Sequence, residues 1–243
     1  MIIDIHTRIG RHPIHEFEQK PETLLRIMEE NDIAKSFLLP FPTMKIKKNN
    51  DLVVKAVKES PDQLVGFIGI NPSDNDAQDE LDRAMSLGLK GLMLDPEFHK
   101  TSFMRISQVE ELMVSCVDYD MPVLINTENI STLTRQKPYY VALDRLAYKF
   151  PEVRFVVSFR WPRVEELIRA HKNIYLYTGG HHNVPGILPM LEEVGPMRIC
   201  MGSESPVNHP ALTIMDLRYK KIPEKYRELV LGKNAERIFK DLL

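Results

Sequence analysis

Eight short runs of β-branched and other apolar residues recur along the chain, at 2–6, 33–39, 64–70, 91–94, 122–126, 153–157, 174–177 and 197–202. Runs this short and this continuously apolar suit parallel strands that are covered on both faces. Amphipathic stretches lie between most of them. Pro21-Glu22-Thr23-Leu24-Leu25-Arg26-Ile27-Met28 opens with a proline and an early acid, and it sets Leu24, Leu25, Ile27 and Met28 on one side. Residues 109–119, 141–148, 164–169 and 187–194 read as helices by the same period.

Strands alternating with helices imply a parallel sheet. Eight such units in 243 residues match the roughly 250 residues of one closed (β/α)8 TIM barrel, so residues 1–243 are expected to form a single α/β domain. A doubly wound open sheet is the rival, but it normally carries G-x-G-x-x-G after its first strand, and Thr7-Arg8-Ile9-Gly10-Arg11 does not match. No repeat of 20–50 residues and no low-complexity segment interrupts the pattern. Residues 71–78 and 128–138 read as long surface loops. The second follows a strand, on the side where barrels carry their sites.

Charge and cysteine usage narrow the function classes. A net charge of −2 favours neither nucleic acid nor an anionic membrane as a partner. The basic clusters Lys45-Ile46-Lys47-Lys48 and Lys220-Lys221 are short and read as solvated faces. Cys116 and Cys200 lie far apart within apolar runs, where a thiol acts as a small buried hydrophobe, and a cytoplasmic setting is expected. The opening residues Met1-Ile2-Ile3-Asp4 lack a basic region ahead of an apolar stretch, so no signal peptide is expected, and no apolar run reaches membrane-spanning length.

Ile3-Asp4-Ile5-His6-Thr7-Arg8-Ile9-Gly10 resembles D-x-H-x-H-x-G, the opening signature of the amidohydrolase-related family. Asn71-Pro72 closes the third run. Gly88-Leu89-Lys90-Gly91-Leu92-Met93-Leu94-Asp95-Pro96 resembles that family's G-x-K-G-x-K-L-H-P, and Pro122-Val123-Leu124-Ile125-Asn126-Thr127 its P-V-x-I-H-T. Met201-Gly202-Ser203-Glu204-Ser205-Pro206 resembles F-G-S-D-x-P, and Gly232-Lys233-Asn234-Ala235-Glu236-Arg237-Ile238-Phe239 the terminal G-x-N-A-x-R-L-F. Each motif is weak alone; their order along almost the whole chain carries the resemblance.

The resemblance implies a barrel whose mouth holds zinc or manganese on two histidines of strand 1, a histidine after strand 5 or 6 and an aspartate after strand 8. Such a cation lowers the pKa of bound water towards about 7 and polarises a substrate oxygen, for hydrolysis or decarboxylation. Here His6 matches the first histidine, but Arg8 stands for the second, Asn126 and Phe159 for the later histidines, and Glu204 for the aspartate. The strand-4 lysine and histidine become Met93 and Asp95. A guanidinium cannot ligate a cation and repels one, so no metal and no cofactor are expected.

For the individual residues two readings stand side by side. Arg8 either holds a substrate carboxylate or phosphate in bidentate fashion, or makes a salt bridge to Glu204 or Asp95 that plugs the old site. Asp95 and Glu204 are either an acid–base pair or the counter-charges of Arg8 and Arg160. His6 is a proton shuttle or a satisfied core histidine. Asn126 donates to a developing oxyanion or to nearby backbone. Arg160 and Trp161 clamp a planar acid or pack on the surface. Thr178-Gly179-Gly180-His181-His182 reads as a tight turn after strand 7, and either histidine could complete an unusual metal site with His6 and Glu204. His12, His15, His99, His171 and His209 lack ligand spacing and are placed on loops and helix ends. Ser203 and Ser205 lack the G-x-S-x-G elbow.

Three functions follow from these readings. One is a metal-independent enzyme for a small carboxylated substrate, lactonase-like or decarboxylase-like, with His6, Asp95 and Glu204 moving protons and Arg8, Asn126, Arg160 and Trp161 binding substrate. A pyrone dicarboxylate lactonase of the superfamily offers the precedent. The others are an inactive paralogue serving as a structural or regulatory subunit of an active one, and a metal-dependent hydrolase with rearranged ligands. A homodimer is compatible with the resemblance.

Overall fold

The computed structural model describes residues 1–100, 107–126, 133–158, 163–179, 187–219 and 222–243, less the side chains of 108, 133–138 and 219. Nine strands and their helices follow in order: β1 (Ile2–Arg11), β2 (Glu18–Gln19), α1 (Pro21–Glu30), β3 (Ile33–Pro40), α2 (Ile46–Glu59), β4 (Leu64–Ile70), α3 (Ala77–Ser86), β5 (Gly91–Leu94), α4 (Ser107–Asp118), β6 (Val123–Ile125), α5 (Leu133–Lys149), β7 (Phe155–Ser158), α6 (Val164–Ala170), β8 (Ile174–Tyr177), α7 (Ile187–Val194), β9 (Ile199–Cys200), α8 (Pro210–Tyr219), α9 (Glu224–Glu228) and α10 (Asn234–Ile238).

Strands β1 and β3 to β9 pair in parallel, each with the next. The segment after β9 returns to β1: the N–H of Ile5 donates to Met201 O at 2.9 Å, Glu204 N–H to His6 O at 2.9 Å and Arg8 N–H to Ser205 O at 2.8 Å, with Thr7 and Ser205 bridged in parallel. The eight parallel strands thus close into a TIM barrel. β2 pairs antiparallel with the end of β1, Gly10 opposite Gln19 and Arg11 opposite Glu18, so a hairpin rises from the C-terminal end of the first barrel strand.

The helices form where apolar spacing and punctuation coincide. α1 starts on Pro21 with Glu22 in its first turn and buries Leu24 and Met28, one turn apart, while Leu25 and Ile27 stay half-buried. α3 buries Ala77, Glu80, Leu81 and Ala84, the i, i+3, i+4, i+7 stripe of a helix lying on a sheet. Glu80 is tolerated in that stripe because Asn50 of α2 donates to it at 2.8 Å and Arg83 grips both its oxygens, at 2.6 and 2.8 Å.

Alternation along the strands divides the apolar residues into two layers. Leu38, Ile68, Leu92, Val123, Val157 and Leu176 point outwards to the helices. Ile3, Ile5, Phe37, Phe67, Met93, Leu124, Val156, Tyr177 and Cys200 fill the barrel, and Ala235, Ile238, Phe239 and Leu242 plug its N-terminal end. Lys35 and Lys90 fasten that plug through hydrogen bonds to the carbonyls of Leu243 (2.7 Å) and Leu242 (3.1 Å).

Several boundaries differ from the sequence expectation. The first strand runs to Arg11 rather than residue 6, because Thr7, Arg8 and Ile9 go on pairing with β3 and Gly10 and Arg11 pair in the hairpin. The last strand keeps only Ile199–Cys200 of 197–202. The expected loop 128–138 is helical from Leu133, and the loop 71–78 ends in the first turn of α3. Lys45-Ile46-Lys47-Lys48, read as a solvated cluster, opens α2, whose polar first turn hid the helix. Among the described residues no helix is long and apolar enough to cross a membrane.

Candidate functional site

β1 supplies the centre of the site through a slip in its pairing. Asp4 is level with Ser36 and Thr7 with Leu38, so three steps along β1 span two along β3. The extra residue inverts the alternation. Ile3 and Ile5 face the barrel axis, and beyond the slip so does Arg8, level with Leu39. His6 lies within the slip, with its ring edge-on to Tyr177 at 4.6 Å and 72°. Gly202 makes room for it: a Cβ there would stand 3.1 Å from His6 Cβ and 3.0 Å from Tyr177 Cβ.

Arg8 is a buried guanidinium, 1% exposed. Its Nη1 donates to Pro40 O at 3.1 Å and contacts Met93 Sδ at 3.4 Å, and its Cζ lies 5.7 Å from the Phe41 ring centroid. The carbonyl at the end of β3, the thioether on β5 and the aromatic face hold the group in one orientation. Met93 occupies the place of the lysine in the family motif, which would have crowded Arg8 with a second cation.

Asp95 and Asn126 follow β5 and β6 and form one unit. Asn126 Nδ2 donates to Asp95 Oδ2 at 2.5 Å, and the N–H of Phe98 donates to Asp95 Oδ1 at 3.1 Å. Both side chains are 2% exposed or less. The amide therefore faces a carboxylate.

Glu204 sits at φ +64°, a left-handed conformation that a non-glycine residue adopts only under local constraint. Three bonds supply the constraint. Its own N–H donates to His6 O, the N–H of Ser203 donates to Asp4 Oδ1 at 2.9 Å, and Asn208 Nδ2 donates to Glu204 Oε2 at 3.2 Å. Asp4 also accepts the N–H of His6 at 3.1 Å, so one carboxylate spans both sides of the barrel seam. Burial pushes the Asp4 carboxyl up to about 6, against the hydrogen bonds of Ser203 and His6, with the nearby charge of Glu204 adding to the rise.

The hairpin is pinned above this group. Gln19, 2% exposed, donates from Nε2 to Arg8 O at 2.7 Å and accepts from Ser205 Oγ at 3.3 Å. Five sequence-derived candidates, His6, Arg8, Asp95, Asn126 and Glu204, thus belong to the C-terminal ends of β1, β5, β6 and β9. Arg160 and Trp161, with Phe159, His181 and His182, lie outside the described residues. Sequence reasoning passed over Asp4, Gln19, Phe41 and Tyr177. Asp4 stood inside the quoted signature, whereas nothing local to Gln19 signals a bond to Ser205, 186 residues away.

The donor set fits a catalytic cation poorly. Among the described residues no three His, Cys, Asp or Glu side chains converge as ligands. Among the described residues, the positions implied by resemblance hold a guanidinium, an amide turned to a carboxylate, and His6 and Glu204 as competent donors.

The amidohydrolase family model matches residues 42–240. Three solved structures overlay on nearly the whole chain. An uncharacterised TIM-barrel protein from Bordetella bronchiseptica shares 21% identity, with 99% of each chain covered and a TM-score of 0.77. A 2,6-dihydroxybenzoate decarboxylase from Rhizobium shares 15%, with 98% of each chain covered and a TM-score of 0.77. A probable 2-pyrone-4,6-dicarboxylic acid hydrolase from Acinetobacter baumannii, holding citric acid, shares 15%, covering 98% of this chain and 99% of that one, with a TM-score of 0.75. A search of curated protein sequences finds no match. With the barrel closed by its first and last strands, the motifs collinear and the family model covering residues 42–240, the chain belongs to the amidohydrolase family.

Proposed function

We propose that the protein is a metal-independent enzyme acting on a small carboxylated substrate at the C-terminal mouth of the barrel, as a lactonase-like hydrolase or a decarboxylase. The observation that carries this reading is Arg8. A guanidinium 1% exposed, held by Pro40 O, Met93 and Phe41, stands where the family signature has its second histidine. A fixed positive charge there takes over the electrostatic task of a cation towards a substrate carboxylate, without activating water. Proton transfer then falls to side chains. In lactone opening, Glu204 or Asp95 takes a proton from the attacking water as the ring C–O bond breaks, and the departing alkoxide takes a proton from an acidic partner such as His6. In decarboxylation, the same group delivers a proton to the carbon that loses CO2. Similarity to a dihydroxybenzoate decarboxylase and a probable pyrone dicarboxylic acid hydrolase supports both chemistries without choosing between them.

The test joins metal analysis to ligand binding. Protein purified after growth with zinc and manganese is expected to carry far less than one metal per chain, and 2,6-dihydroxybenzoate or a pyrone dicarboxylate is expected to raise its melting temperature. Arg8→Gln should abolish that rise. Stoichiometric metal that disappears in Glu204→Ala would establish the rearranged metalloenzyme instead. A second reading, an inactive paralogue that serves as a subunit, is favoured by Asp95, whose two oxygens already accept from Asn126 and Phe98. Recovery of a stoichiometric complex with an active relative, with no acid binding to the free chain, would establish that alternative.

A further inference from the structure

We propose that His12, at the tip of the hairpin, is a second substrate-recognition residue, presenting its Nε2–H as a neutral donor to the acid that Arg8 anchors. The inference rests on the anion-site reading above and adds a residue that the family motifs do not mark. β1 leaves the barrel at Arg11, and the chain turns back so that the N–H of His12 donates to Phe17 O at 3.0 Å before β2 begins. Within that turn, His12 Nδ1 accepts two backbone N–H groups, from Ile14 at 3.1 Å and His15 at 3.0 Å.

A ring nitrogen that accepts two hydrogen bonds carries no proton, so the neutral imidazole keeps its proton on Nε2. The turn therefore fixes the tautomer. It also fixes the ring, which lies 4.6 Å from the His15 ring, 4.8 Å from Phe17 and 5.0 Å from Phe41, the last edge-on at 65°. Phe41 is the shared surface: Arg8 lies 5.7 Å from the same centroid. Burial, His15 and Arg8 together hold the His12 imidazole below its usual pKa, so it remains neutral where a cationic histidine would repel Arg8.

The hairpin is no loose flap, because Gln19 ties it to the Arg8 carbonyl and to Ser205. Arg8, a buried charged donor, and His12, a half-buried uncharged one, thus share the Phe41 ring as a common contact. Planar acids bearing a second oxygen function beside the carboxylate are the class this pair suits.

Binding of 2,6-dihydroxybenzoate and of citrate to the whole chain is measured by calorimetry for wild type, Arg8→Gln, His12→Phe and His12→Gln, with the imidazole tautomer read by nitrogen–proton NMR. His12→Phe is expected to weaken binding about ten-fold, the worth of one well-placed hydrogen bond, and His12→Gln, which keeps a neutral N–H, to restore most of it. NMR is expected to show the Nε2–H form in the free protein. Full affinity in His12→Phe together with loss in Arg8→Gln would overturn the role of His12 and leave the anion site standing. An Nδ1–H tautomer in the free protein would overturn it as well, whether or not His12→Phe folds. Absence of binding to the wild type would overturn both.

Discussion

The carboxylate of Asp4 accepts the backbone N–H of Ser203 at 2.9 Å, and this bond joins the first barrel strand to the turn that carries Glu204. The group is wholly buried, and burial is the largest influence on its acidity. A carboxyl raised from 3.8 to about 6 binds its proton more tightly in the folded chain than in the unfolded one. Its contribution to stability is therefore fully present below pH 3.8 and is lost as the pH rises through about 6. The loss is on the order of 3 kcal/mol at most. Asp4→Asn keeps an oxygen acceptor for Ser203 and removes the titration. The difference in unfolding free energy between the two proteins should swing in favour of the variant between pH 4 and pH 7, as followed by urea unfolding. A difference that stays constant across that range would show that Asp4 does not titrate there.

Gly202 allows the closest approach at the seam. In Gly202→Ala the new Cβ would stand 3.0 Å from Tyr177 Cβ and 3.1 Å from His6 Cβ, both fixed close to the backbone. Relief requires β8 or β1 to move, at about 1–3 kcal/mol. The variant should melt lower and lose affinity for any acid that needs His6 in place. An unchanged melting temperature would mean that the seam is looser than these distances.

The barrel was legible because its strands are short, apolar and evenly interrupted, and because Pro21 and Glu22 mark a helix start by themselves. The hairpin was not. Glu18 and Gln19 make a strand only because Gly10 and Arg11 are there to pair with, a relation no local propensity expresses. α2 escaped for a related reason: its first turn is Ile46-Lys47-Lys48-Asn49, polar because it faces solvent, while the burial of Asn50 depends on donating to Gly69 O at 3.0 Å and accepting from Gly69 N–H at 2.9 Å. At the site, motif order located His6, Arg8, Asp95, Asn126 and Glu204, but not how they face one another. That both His6 and Arg8 turn inwards rests on the register slip after Asp4, since simple alternation from Ile3 and Ile5 would have turned them outwards.

The two thiols offer a probe of local opening. Burial pushes both Cys116 and Cys200 up to about 12, so neither forms a reactive thiolate in the folded chain near neutrality. At pH 8 a disulfide reagent such as DTNB should label the native protein only as fast as it opens. The rate should rise to that of free cysteine in denaturing urea. Labelling of either thiol within seconds in the absence of denaturant would show a far more accessible interior on that side of the barrel.

Phe239 tests whether the C-terminal segment is part of the barrel core or a detachable cover. Its ring is fully buried, 5.1 Å from Phe37 in a T-shaped contact, and Phe37 in turn lies 5.2 Å from Phe67. The plug therefore continues the aromatic column that fills the lower barrel. Phe239→Ala would leave a void that Phe37 and Tyr175 can close only by leaving their own contacts, and a loss of about 3–5 kcal/mol is expected. The loss should appear in a single cooperative transition, because Lys35 of β3 and Lys90, just before β5, both bind the last carbonyls. If residues 234–243 instead frayed first, hydrogen exchange in that segment would speed up in Phe239→Ala while the strands kept their protection, and the segment would count as a cover laid over an already stable barrel.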